Sequence, residues 1–84
     1  MSDVLRQILD AVEDLNPAWC ETRVTEEADG TAYARMYARR GDTTYGISRA
    51  FSGPILLFAT ADIIHPELQR MYLALWREAF RAHD

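Results

Sequence analysis

Lysine is missing from this 84-residue chain: all nine basic residues are arginine, against thirteen Asp and Glu, which gives a formal net charge of −4 with both histidines neutral. The acidic balance excludes a nonspecific duplex binder, which needs a basic footprint to release counterions, and leaves room only for a local Arg patch. The usage has two readings: codon bias in a GC-rich genome, and a functional one in which arginine suits interfaces because its guanidinium is planar, weakly hydrated and able to bond bidentately. Cysteine is scarce as well. Cys20 cannot form an intrachain disulfide, and MSDVLRQILD lacks the basic region and apolar run of an export signal, so the chain reads as cytoplasmic. Long hydrophobic runs are absent: Ile55 to Phe58, with Ala59 after it, falls far short of the roughly 20 residues of a membrane span.

Catalytic and metal motifs are lacking too. The imidazoles His65 and His83 have no nucleophile or orienting partner by spacing, and Cys20 reads as a small buried hydrophobe. One Cys and two distant His do not make a zinc site, and the acidic groups Glu13–Asp14 and Glu26, Glu27 and Asp29 lack the ligand alternation of a calcium loop. No glycine-rich loop joins a strand to a helix. Neither an enzyme nor a cofactor is indicated.

What is present is a globular composition, 49% hydrophobic and 26% charged, which fits neither disorder nor a coiled coil. Residues 1–84 form a single domain by length. A chain this short buries about 60 to 65% of its unfolded surface, so a partner subunit would add stability.

Val4, Leu5, Ile8, Leu9, Val12 and Leu15 recur at helical spacing, with Ser2 available as N-cap, which predicts an amphipathic helix over 2–15 ended by Asn16 and Pro17. From Trp19 the period becomes two. Ala28, Asp29 and Gly30 suit a three-residue hairpin loop, and Gly41 with Asp42 a two-residue one. These loops set a register in which paired residue numbers sum to 58 and then to 83. One face then carries Cys20, Ala38 and Tyr45, next Thr22, Met36 and Ile47, next Val24, Ala34 and Arg49, with small residues in the middle strand as close helix packing requires. The other face carries Trp19, Arg39 and Thr44, then Glu21, Tyr37 and Gly46, then Arg23, Arg35 and Ser48, then Thr25, Tyr33 and Ala50. Tyr37 opposite Gly46 supports that register, because an aromatic ring covers a strand glycine.

After the turn Ser52-Gly53-Pro54, the run Ile55 to Thr60 suits a fourth, buried strand. Asp62 to His65 reads as a connection and Pro66 as the first position of a helix running to about Ala82. Leu68, Met71, Tyr72, Leu75, Ala79 and Phe80 form its core stripe, widened by Leu73 and Trp76. The expected class is therefore α+β: an antiparallel sheet of three or four strands flanked by N-terminal and C-terminal helices.

The second sheet face interleaves Trp19, Tyr33 and Tyr37 with Arg23, Arg35 and Arg39, and adds Glu21. Such a surface recognises a protein partner, stacks single-stranded nucleic acid, or is covered by a helix or a second copy of the chain. Since both sheet faces and the last helix carry more apolar surface than a monomer of this size covers, a homodimer is expected.

The order helix, antiparallel strands, helix resembles the double-stranded-RNA-binding domain in outline. That family places a basic cluster at the start of its last helix, where this chain has His65, Pro66, Glu67, Leu68, Gln69 and Arg70, so the family's function does not carry over. As a short, single-domain, acidic chain without catalytic motifs, the protein also resembles the small phage-encoded inhibitors of the anti-CRISPR type. That resemblance implies a cytoplasmic inhibitor that binds a CRISPR effector complex and blocks access of target DNA, with Glu26, Glu27 and Asp29 meeting basic grooves. The leading expectation is thus a non-enzymatic inhibitor of a protein or nucleoprotein complex. The alternative is a single-stranded RNA- or DNA-binding module that uses the aromatic and Arg face.

Overall fold

The computed structural model describes residues 3–51 and 61–81. Helix α1 (Asp3–Leu15) leads into strands β1 (Cys20–Glu26), β2 (Ala32–Arg40) and β3 (Thr43–Phe51), then helix α2 (Ala61–Trp76), whose end continues as a π-helical segment, Arg77–Arg81. The described strands form an antiparallel sheet in the order β1-β2-β3. The class is α+β, with the N-terminal helix, sheet and C-terminal helix in the expected sequence. The expected fourth strand, 55–60, lies outside the described residues, as does residue 83.

Both hairpin registers are those the loop residues dictate: Cys20 faces Ala38 and Ala38 faces Tyr45. In the first loop the Gly30 N–H donates to the Glu27 carbonyl at 2.9 Å, and Gly30 itself takes φ +87°. A side chain at that φ would strain the backbone, so glycine closes the loop. Asp29 Oδ1 accepts the Thr31 N–H at 2.9 Å, and this bond holds the Asp29 carboxyl below the usual carboxylate range. Gly41, at φ +62° and first in its two-residue loop, fits a type II′ turn.

The period of two puts Ala32, Ala34, Met36 and Ala38 of β2 inward, all buried, in one core with Ile8 and Ala11 of α1, Phe51, and Ile64, Leu68, Met71, Tyr72 and Leu75 of α2. Three alanines in the middle strand let the helices lie close to the sheet. Thr22 Oγ1 and the Tyr72 hydroxyl share a 2.8 Å hydrogen bond that ties β1 to α2. At the β3 side, Arg49 Nη1 lies 2.9 Å from Glu67 Oε2, and Arg70 Nη1 donates to Glu67 Oε1 at 2.7 Å.

Three expectations are corrected. In α1, Ala11 is buried and Leu9 is 38% exposed, because Ile8, Ala11 and Leu15 share one helical face and Leu9 is turned away from it. Helix α2 starts at Ala61, so Asp62 to His65 are helical and Pro66 is inside the helix. The proline removes one backbone donor near the helix start. Burial of Ile64, in line with Leu68, Met71 and Leu75, offsets that loss. Trp19 is the third correction and bears on the site.

Candidate functional site

Neither described helix covers the second face of the sheet, since both pack on the alanine side. The outer rows are Thr25, Tyr33 and Ala50; Arg23, Arg35 and Ser48; Glu21, Tyr37 and Gly46; then Arg39 and Thr44. Strand pleating brings these side chains to one surface.

Contacts within the face fix its cations. Arg35 lies with its guanidinium carbon 4.9 Å from the Tyr33 ring centroid, and its Nη1 donates to Thr25 Oγ1 at 2.8 Å. Arg23 lies 5.8 Å from the Tyr37 centroid, and its Nε donates to Glu21 Oε1 at 3.0 Å. Each cation–π contact contributes about 0.5 to 1 kcal/mol at an exposed position, enough to orient a long side chain without locking it. The Tyr37 ring in turn lies over Gly46: a Cβ built there would stand 3.3 Å from Tyr37 Cδ1. Arg39 Nε donates to the Gly41 carbonyl at 3.1 Å, which turns this cation toward the second hairpin.

Trp19 does not join the row with Arg39 and Thr44 on the outer surface. It precedes β1 in a turn closed by the Cys20 N–H donating to the Pro17 carbonyl at 3.3 Å, so strand alternation does not extend to it. Its ring packs edge-on against Tyr72 (centroids 6.2 Å apart, 82°) and Phe80 (5.8 Å, 86°) on the helix side. It still borders a depression of about 360 Å³ at the sheet end, shared with Glu21, Tyr37, Arg39 and Thr44.

Glu26, Glu27 and Asp29 are exposed at the tip of the first hairpin, at the opposite end of β2 from Arg39. Along the face arginines interleave with tyrosines and Glu21, and Glu27 and Asp29 lie beyond it at the tip, while Glu26, paired with inward-facing Ala32, belongs to the register of the opposite face. Thr25 and Ser48 complete the rows. Their cross-strand positions are legible in the sequence, but a hydroxyl in a strand carries no signal that it holds a guanidinium.

Burial pushes the Cys20 thiol up, against the weaker pull of its contact with Thr22, so the thiolate nucleophile is disfavoured. His65 Nε2 is 3.4 Å from Asp14 Oδ2, an ion pair between the helices when the imidazole is protonated. Among the described residues no group of three or more His, Cys, Asp or Glu could hold a metal ion, and no helix is long and apolar enough to cross a membrane. Comparison with protein families, with curated proteins and with solved structures finds no match.

Proposed function

We propose that the protein is a non-enzymatic binding module whose contact surface is the outer sheet face, and that its target is a protein or nucleoprotein complex. The observation that carries this reading is the stacking of Arg35 on Tyr33 and of Arg23 on Tyr37 on a face left open by both described helices. Oriented Tyr and Arg side chains are the residue types that dominate binding energy at protein interfaces, and prior orientation lowers the entropy lost on association. The same contacts weigh against base stacking, because a guanidinium already occupies one side of each ring. Glu21 also offsets the charge of Arg23.

The anti-CRISPR resemblance gives this proposal its specific form: an inhibitor that occupies the DNA-accepting surface of a CRISPR effector complex. A homodimer is part of the same proposal. Purified effector complexes are titrated with the full chain, with and without target DNA, and the sedimenting mass of the free chain is recorded. Binding that competes with target DNA and weakens at least about 30-fold in Tyr37→Ala or Arg35→Glu, the loss typical of a central anchor, is expected. Unaltered binding in both variants removes the sheet face from the proposal. Tight binding to single-stranded DNA that falls steeply with salt would replace it with the nucleic-acid alternative.

A further inference from the structure

We infer that the row Arg23, Arg35 and Ser48 receives a carboxylate side chain of the partner protein. This rests on the protein-binding reading and names the chemistry of the partner's anchor. Arg23 and Arg35 are direct cross-strand partners. Like charges placed opposite each other destabilise a sheet; the ion pair with Glu21 engages Arg23, whereas Arg35 is held by the Tyr33 ring and the neutral Thr25 hydroxyl. An anion beside the Arg35 guanidinium removes the remaining conflict.

Donors remain for one. A guanidinium has five N–H groups, and the contacts described above occupy one on Arg35, to Thr25, and one on Arg23, to Glu21. Beside Arg35 lies a depression of about 200 Å³ bounded by Tyr37, Gly46 and Ser48. It exists because position 46 has no side chain, since any Cβ there would press on the Tyr37 ring. A carboxylate seated in it adjoins Arg35, a side chain that favours bidentate bonding to such groups, with the Ser48 hydroxyl as a further donor.

The carboxylate follows from the protein partner on which the inference rests. Glu21 is in the adjoining row, and Glu27 and Asp29 are at the hairpin tip, so a polyanion of either kind engages the site only if the arginines outweigh these acids.

The test is a backbone amide NMR titration of the full chain with short poly-L-glutamate, with poly-L-glutamine and oligodeoxythymidine of equal length for comparison. Because the whole molecule is acidic, a polyanion binds only if the local site outweighs the general repulsion. Poly-L-glutamate is expected to shift the amides of Arg23, Arg35, Tyr37, Gly46 and Ser48. Arg35→Gln, checked for an unchanged melting curve, is expected to lower the affinity about tenfold through loss of the charged fork. Absent or dispersed shifts, an Arg35→Gln titration like that of the natural chain, or tighter binding of oligodeoxythymidine to the same amides would each overturn the inference. If poly-L-glutamate fails while Tyr37→Ala still abolishes effector binding, the carboxylate site alone falls. If poly-L-glutamate binds but effector binding ignores Tyr37→Ala, the carboxylate site stands and the proposed target falls.

Discussion

Tyr72 brings a hydroxyl into the space between α2 and β1, where Thr22 is its hydrogen-bond partner. Burial raises the phenol above its ordinary pKa, opposed by the bond to Thr22 and assisted by nearby Cys20. A raised acid is held neutral by the fold, so its contribution to stability is complete below the unfolded pKa and is lost as pH rises through the folded value. Tyr72→Phe removes the bond and leaves the Thr22 hydroxyl half-buried and without this partner, which is expected to cost about 1 kcal/mol at neutral pH. Urea unfolding of the two proteins at pH about 7 and about 11 checks both parts, since the variant should lose less stability between them. An equal alkaline loss in both would show that Tyr72 is not the group responsible.

At the scale of elements, the end of β2 holds the end of the C-terminal helix. Arg40 Nη1 donates to the Phe80 carbonyl at 2.8 Å and lies 3.3 Å from that of Ala79, so a cation meets the last carbonyls, where the helix dipole is negative. Arg40→Ala should lower stability by roughly 0.5 to 1 kcal/mol and raise amide exchange within residues 77–81 while leaving the sheet protected. Exchange unchanged in that segment would dismiss the cap. This contact shows where sequence reading ends: the partners are some 40 positions apart, and a terminal arginine has no local pattern that names its carbonyl. The strands are different, because Gly30 and Gly41 fix loop length and loop length fixes every pairing that follows. Alternation therefore also located most of the candidate face, Glu21, Arg23, Tyr33, Arg35, Tyr37 and Arg39. It failed at Trp19, one residue before pairing begins; the helix start was misplaced separately, at Pro66, where burial of Ile64 outweighed a local start signal. The stacking of guanidinium on ring is a matter of rotamers and was not legible.

At the scale of the whole molecule, α1, α2 and the sheet contribute to one core cluster among the described residues. Ile8, at 0% exposure, has its side chain wholly inside it. Ile8→Ala should cost about 2 to 4 kcal/mol, against a total of roughly 4 to 12 kcal/mol for a domain of this length. Thermal unfolding followed by circular dichroism and by tryptophan fluorescence should then show one coincident transition at much lower temperature. Separate transitions would mean that α1 melts on its own. The same core has a practical consequence on the opposite side of the sheet. Since β2 keeps Ala32, Ala34, Met36 and Ala38 inward and presents Tyr33, Arg35, Tyr37 and Arg39 outward, the outward set can be randomised without changing what the helices pack on. The chain is in that respect a display scaffold, on which selection could exchange one binding specificity for another while the interior stays constant.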